Sequence, residues 1–246
     1  MSIMFDENTH FRHEFKYIEP EIRLKASELR LSSFVKKDTH AGEKGFYSIR
    51  SLYFDDYFDS FLNENISGVD EREKWRIRIY DRSADFISLE RKSKKSDLIA
   101  KDSCSIDRET YDAILKGTAS VSDSNPALLN LFIIGLKAKG LHPVVIVEYE
   151  RTPFVVHEGN TRVTFDRNIR SSMELDALLS DRELAARPVL EAGKNLLEVK
   201  FDAFLPDHIG HALETGHMRR ETFSKYYLSR EFSFSALSKY TLAKVR

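Results

Sequence analysis

The chain of 246 residues has a single cysteine, Cys104, so no disulfide can form within it. Long apolar runs are also missing, because the most apolar stretch, Ala127 to Leu136, is shorter than the roughly 20 residues that span a membrane. Residues 1–8 contain no apolar core of a secretion signal. We therefore expect a soluble protein of a reducing, cytoplasmic compartment, with Cys104 buried in a strand rather than acting as a nucleophile.

The motifs of several common enzyme classes are absent as well. The sequence contains no GxGxxG, HExxH or GxSxG pattern, and the GEKG segment at residues 42–45 lacks the spacing of a Walker loop. No group of cysteine and histidine has zinc spacing, and His208 and His211, three residues apart, are a weak signal for a metal. The formal net charge of −1 gives no general case for binding nucleic acid or an anionic membrane. A polyanion would need basic residues that are concentrated locally.

The composition itself is that of a folded protein. The chain is 41% hydrophobic and 11% aromatic, and its length allows a sizeable core. Neither an internal repeat nor a long polar linker divides the sequence, so we expect a single domain over residues 1–246.

A predicted hairpin is the most informative segment. Residues 74–80 and 86–94 alternate apolar with charged residues on either side of a turn at 81–85. Successive side chains of a strand point to opposite faces, so Trp75, Ile77 and Ile79 share one face. The other face of the same strand is cationic, with Lys74, Arg76 and Arg78. Taken alone, this pattern is also that of an ordinary solvated sheet face.

Further strands and a few helices complete an α+β prediction that is mainly antiparallel β. Strands are predicted at residues 12–18, 46–54, 99–106, 143–154, 161–166 and 189–201. Helices are predicted after Pro20, Asp107, Pro126 and Pro206, because these residues favour helix starts. We read residues 170–187 as a loop or helical excursion, and residues 222–227 as a strand or the start of a helix. In the helix after Pro20, the apolar positions recur roughly at helical spacing, among them Ile22, Leu24, Leu29 and Leu31.

Charged residues recur on one face of five predicted strands. They are Arg12, Glu14 and Lys16; Arg76 and Arg78; Glu90 and Lys92; Arg162 and Asp166; and Glu198 and Lys200. A solvated exterior would contain more Ser, Thr and Gln. A dry interior would penalise these charges heavily. We therefore expect the charged faces to line a water-filled tunnel that holds a polyanion.

A chain of phosphates is the polyanion that suits these residues best. Guanidinium groups form bidentate contacts with phosphate oxygens, and lysines act as point charges. A carboxylate among the cations does not bind phosphate directly. It can instead hold Mg²⁺ or Mn²⁺, which then bridges phosphate oxygens.

Eight short motifs follow one another along the chain. They are Arg12-x-Glu14-x-Lys16-Tyr17, Ser51-Leu52-Tyr53-Phe54-Asp55, Arg76-Ile77-Arg78-x-Tyr80, Leu89-Glu90-Arg91-Lys92, Tyr149-Glu150-Arg151-Thr152-Pro153-Phe154, Arg162-Val163-Thr164-Phe165-Asp166, Leu197-Glu198-Val199-Lys200 and Ser224-Lys225-Tyr226. In this order they resemble the VTC domain, the polyphosphate polymerase domain of the vacuolar transporter chaperone family. This family is part of the CYTH, or triphosphate tunnel metalloenzyme, superfamily. The resemblance extends from about residue 10 to residue 230.

The resemblance implies an eight-stranded antiparallel β-tunnel, closed or nearly closed, with flanking helices. It also implies transfer of the γ-phosphate of ATP to a growing inorganic polyphosphate chain. The residues that would act in this transfer are Arg76, Arg78, Lys200 and Lys225. Those that would bind phosphate are Lys16, Lys92, Lys101, Arg151, Arg162 and Ser224. Glu198 would hold Mn²⁺ or Mg²⁺, whereas Glu14 either reaches the metal or pairs with Lys16 or Arg12.

The implied partners are ATP and inorganic polyphosphate or pyrophosphate, for a monomer or weak homo-oligomer. Coupling to membrane transport would need a separate membrane-protein partner. The sequence departs from the superfamily at Arg12, because the hydrolytic members begin this strand with an ExExK motif and so have a carboxylate there. Two alternatives stay open: a triphosphatase of inorganic or nucleoside triphosphates, and a binding module for polyphosphate or nucleotides without catalysis.

Overall fold

A computed structural model describes residues 11–96 and 98–231 of the chain. Its strands are β1 (His13–Pro20), β2 (Tyr47–Asp55), β3 (Arg72–Tyr80), β4 (Ser83–Lys95), β5 (Leu98–Ile106), β6 (His142–Val156), β7 (Thr161–Ser172), β8 (Arg187–Pro188) and β9 (Lys194–Phe201). Its helices are α1 (Glu21–Ser32), α2 (Ser60–Ile66), α3 (Arg108–Leu115), α4 (Ala127–Ala138) and α5 (Asp207–Leu213). Residues 225–231 are helical too and form α6. Within the described residues, none of these helices has the length and apolar character needed to span a bilayer.

The strands form one antiparallel sheet that curls into a tunnel. Its order is β1-β9-β7-β6-β2-β3-β4-β5, and the two-residue β8 pairs with β7 beside this path. The two edges of the sheet meet at an isolated bridge, where the N–H of Arg12 donates to the carbonyl of Ile99 (2.9 Å) and the N–H of Ile99 donates to the carbonyl of Arg12 (3.0 Å). The predicted α+β fold, a mainly antiparallel β-tunnel of eight strands with flanking helices, is confirmed.

The apolar core lies outside the tunnel, between the sheet and the helices that cover it. Trp75 and Ile77 of β3 are buried on this outer face, and the ring of Trp75 lies 5.2 Å from that of Phe132 in α4. A second cluster joins Phe165 of β7 to Ile209 of α5. Each fully buried side chain of this kind contributes about 1.5–3 kcal/mol. Since the strands bury their apolar residues outward, their alternate side chains face the tunnel.

Helix α1 buries only some of the apolar residues that recur at helical spacing. Leu24 and Leu31 are fully buried, but Ile22 and Leu29 are 84% and 62% exposed. Glu28 is also buried, and Arg167 Nη2 donates a hydrogen bond of 2.8 Å to Glu28 Oε2. A buried carboxylate with such a partner is tolerated, so the apolar spacing alone does not give the buried face of α1.

Three other local predictions are refined by the structure. The last long strand, β9, begins at Lys194 rather than at residue 189, and residues 170–172 extend β7 instead of belonging to a loop. The segment at residues 222–227 starts a helix rather than a strand. Cys104 is only half-buried, although it packs against the larger core cluster.

Candidate functional site

The inner face of the curled sheet encloses a cavity of about 880 Å³, hereafter the tunnel. Among the described residues, fourteen lysine or arginine side chains and three carboxylates line it. The chain as a whole has a net charge of −1, so the fold has collected positive charge on the inside. A cavity lined in this way attracts anions.

The structure brings all twelve predicted site residues to the wall of the tunnel. They are Glu14, Lys16, Arg76, Arg78, Lys92, Lys101, Arg151, Arg162, Glu198, Lys200, Ser224 and Lys225. Ser224 precedes α6, and its Oγ accepts a hydrogen bond of 3.2 Å from the N–H of Tyr227. Serine at this position is a good helix N-cap, and it places Lys225 at the start of the helix, facing the tunnel.

Arg76 and Arg78 are held by a buried carboxylate, Glu90. The β3–β4 register places Arg76 opposite Glu90, and Arg76 Nε donates a hydrogen bond of 2.7 Å to Glu90 Oε2. Arg78 Nη1 lies 3.5 Å from the same oxygen, and Lys101 Nζ lies 3.3 Å from Oε1. Burial alone would raise the pKa of Glu90, but these three cations lower it below its usual range. The carboxylate is therefore charged and fixes two arginines of the tunnel wall.

Asp166 is a second buried carboxylate, and it holds Arg151 and Lys225. Arg151 donates two hydrogen bonds of 2.7 Å to Asp166, from Nε to Oδ1 and from Nη2 to Oδ2. Lys225 Nζ lies 2.7 Å from Asp166 Oδ2. Burial opposes ionisation of Asp166, but Arg151 and Lys225 still lower its pKa. Such a bidentate pair fixes the plane of the guanidinium as well as its position.

The third charged group contains the two predicted metal ligands. Lys16 Nζ lies 2.7 Å from Glu14 Oε2, and Lys200 Nζ lies 2.9 Å from Glu198 Oε1 and 3.3 Å from Glu14 Oε1. Lys92 Nζ donates a hydrogen bond of 2.8 Å to Glu14. Burial lowers the pKa of Lys92 to about 7, and Glu14 only partly offsets that effect. Glu14 therefore forms the expected ion pair with Lys16, and its role as a metal ligand stays a prediction.

Comparison with protein-family models identifies the family of this chain. The model of the VTC domain matches residues 11–234. The chain belongs to the VTC domain family. A search of curated proteins gave no match to this VTC domain.

Several solved structures are similar to this VTC domain at low sequence identity. A candidate adenylyl cyclase from Hippeastrum that reveals a dominant triphosphatase activity is 14% identical, with 90% of this chain and 95% of that chain covered and a TM-score of 0.51. A candidate adenylate cyclase from Bacillus halodurans is 12% identical over 88% of this chain and 95% of that chain, with a TM-score of 0.49. The PH1819 protein from Pyrococcus horikoshii is 14% identical over 89% of this chain and 98% of that chain, with a TM-score of 0.45.

The two carboxylates of the third group fit a metal that also binds the substrate. Among the described residues, no cluster of three or more Asp, Glu, His or Cys side chains is suited to hold a metal ion. Mg²⁺ is commonly held by one or two carboxylates together with phosphate oxygens of the substrate. Glu14 and Glu198 can supply that share of the ligands in this VTC domain. His208 and His211 of α5 are not among the residues that line the tunnel.

Sequence reasoning missed several side chains of the tunnel. Lys74, Arg72, Lys94 and Arg220 line it but were absent from the predicted site residues. For Lys74 the signal was present, because it alternates with Arg76 on the cationic face of β3. For Arg220 no signal existed, since its position over the ring of Phe15 (3.7 Å to the centroid) depends on an irregular segment.

Proposed function

We propose that this VTC domain is a polyphosphate polymerase, which transfers the γ-phosphate of ATP to the end of an inorganic polyphosphate chain inside the tunnel. The observation that carries this proposal is the excess of cations in the tunnel, fourteen against three carboxylates among the described residues. Cations at this density match a ligand with regularly spaced negative charges, and polyphosphate is such a ligand. The substrates are then ATP and inorganic polyphosphate or pyrophosphate.

The proposed reaction has no covalent enzyme intermediate. An oxygen of the terminal phosphate of the chain forms a bond to the γ-phosphorus of ATP, the bond from that phosphorus to the bridging oxygen breaks, and ADP leaves with the electron pair. The attacking oxygen is already anionic at neutral pH, so no general base is required. The protein contributes position and charge stabilisation, which are the main contributions in phosphoryl transfer.

The arrangement of the cations suits these two tasks. Arg76 and Arg78 would bind the oxygens of the transferred phosphoryl group, with Lys200 and Lys225 beside them. Glu90 holds both arginines in place before the substrate binds, since Arg76 Nε is 2.7 Å and Arg78 Nη1 is 3.5 Å from its carboxylate. A bound Mn²⁺ or Mg²⁺, held by Glu198 together with Glu14, would offset negative charge on the phosphate oxygens.

The test is to incubate the protein with ATP and Mn²⁺ and to separate the products on a gel that resolves polyphosphate from free phosphate. We expect long-chain polyphosphate from the wild type and none from Arg76→Ala, with the fold retained. Arg108→Ala is a matched control, because Arg108 lies on α3 with a side chain that is 63% exposed and should not affect the product. Full polymer formation by Arg76→Ala would refute the proposed role of the tunnel.

Hydrolysis of triphosphates is the second candidate function. It is supported by the Hippeastrum protein, which shares the fold and has a dominant triphosphatase activity. It is disfavoured by Arg12, which stands where the hydrolytic members of the superfamily have a carboxylate. The Nε of Arg12 donates a hydrogen bond of 2.9 Å to Asp202. In the same assay, a triphosphatase would release phosphate alone. A binding module would retain tripolyphosphate and form neither product.

A further inference from the structure

Lys74 differs in its contacts from five other lysines of the tunnel, each of which has a carboxylate partner: Lys16, Lys92, Lys101, Lys200 and Lys225. Its Nζ donates a hydrogen bond of 2.6 Å to Asn65 Oδ1 and one of 2.9 Å to Ser224 Oγ. Both acceptors are uncharged. By contrast, Lys16 and Lys200 each lie within 3 Å of a carboxylate oxygen, at 2.7 and 2.9 Å.

The charges around Lys74 are mainly positive. Among the described residues, no carboxylate lies within ion-pair distance of its ammonium group. Burial lowers the pKa of Lys74 well below its usual value, and the cations Lys92, Lys16 and Arg72 lower it further, whereas Glu14 has only a small opposing effect. A desolvated ammonium group without a counter-charge is costly, so a protein that keeps one benefits when an anion binds beside it.

We infer that Lys74, together with Asn65 and Ser224, forms an additional phosphate-binding subsite of the tunnel, where a phosphate group of the bound chain supplies the counter-charge that Lys74 lacks. An ammonium group can donate three hydrogen bonds, and the two described acceptors use two of them. The third can be donated to a phosphate oxygen. Lys74 follows the inward alternation of Arg76 and Arg78 on β3, so one phosphate chain can contact all three. This inference rests on the proposed function.

The test is Lys74→Met, which keeps an unbranched side chain of similar size and removes the charge. Two quantities are measured on the full chain: the affinity for tripolyphosphate by titration calorimetry, and the melting temperature without ligand. We expect the affinity to fall about tenfold, while the melting temperature stays the same or rises because an uncompensated charge is removed. Lys74→Arg, which keeps the charge, should retain most of the affinity. An unchanged affinity in Lys74→Met, with or without a lower melting temperature, would overturn the inference and leave Lys74 a structural role.

Two further variants separate this inference from the proposed function. Lys25→Met changes a lysine of α1 whose side chain is 56% exposed, and it should leave both quantities unchanged. Arg76→Ala should abolish binding of tripolyphosphate. If Arg76→Ala binds normally, the proposed function fails; if it loses binding while Lys74→Met does not, only the subsite fails.

Discussion

The substitution Glu90→Gln tests whether the carboxylate of Glu90 is the counter-charge that stabilises the cations of the tunnel wall. Glu90 is 1% exposed, and its carboxylate accepts a hydrogen bond of 2.7 Å from Arg76 and lies 3.5 Å from Arg78 and 3.3 Å from Lys101. Glutamine keeps the shape of the side chain but removes the counter-charge of all three cations. Removing one partner of a buried ion pair costs about 3–5 kcal/mol, and we expect about 3 kcal/mol because the cations face a tunnel that is open to water. In a chain of this size that loss lowers the melting temperature by about 6–12 °C.

The same substitution should improve ligand binding. Arg76 and Arg78 no longer have a protein carboxylate that competes with phosphate, so the affinity for tripolyphosphate should rise about tenfold, which corresponds to about 1.4 kcal/mol. Tripolyphosphate at about 100 times its Kd stabilises a protein by about 2.7 kcal/mol, so it should restore most of the lost stability. Thermal unfolding with and without tripolyphosphate, together with titration calorimetry, measures both effects.

The control for this experiment is Asp112→Asn. Asp112 pairs with Arg108 at 3.5 Å, the two side chains are 43% and 63% exposed, and neither residue lines the tunnel. Exposed pairs of this kind contribute about 0–1 kcal/mol, so stability should change little and the affinity for tripolyphosphate should not change. The reasoning would be refuted if Glu90→Gln were as stable as the wild type, or if it bound tripolyphosphate more weakly.

Two other predictions concern the loss of stability at low pH and the anchoring of α6. The pKa of folded Glu90 lies below its usual value, so the stability it confers is present above the unfolded pKa of about 4.3 and is lost as the pH falls below it. Urea unfolding at about pH 6 and about pH 3 should therefore show a smaller loss of stability in Glu90→Gln than in the wild type, and an equal loss would contradict this assignment. Tyr226→Phe removes the hydrogen bond that Tyr226 donates to the fully buried Asp55. It should lower the free energy of unfolding by about 2 kcal/mol, measured in urea, and weaken tripolyphosphate binding through the adjacent Lys225; unchanged stability and binding would contradict the anchoring role.

The alternation of side chains was enough to predict the inward face of the tunnel. In β3, the predicted outward residues Trp75, Ile77 and Ile79 are buried in the core, and Arg76 and Arg78 line the tunnel. This success follows from the strict period of two in a strand, which the local sequence determines. The resemblance to the VTC domain then identified which of the inward cations belong to the predicted phosphate-binding site.

The partners of those cations could not be predicted in the same way. Arg151 pairs with Asp166 because the β6–β7 register places the two residues opposite each other, and that register depends on the whole sheet. Lys74 was left out because motif matching selected Arg76 and Arg78 alone. In α1, the polar contact of Glu28 with Arg167 of β7 overrides the apolar pattern that Ile22 and Leu29 suggest.

A crystal structure of the protein soaked with tripolyphosphate tests the central claim most directly. The account predicts phosphate groups inside the tunnel, with oxygens about 2.7–3.0 Å from the nitrogens of Arg76, Arg78, Lys200 and Lys225. Tripolyphosphate bound only on the outer surface, with these four side chains still paired to their own carboxylates, would contradict it.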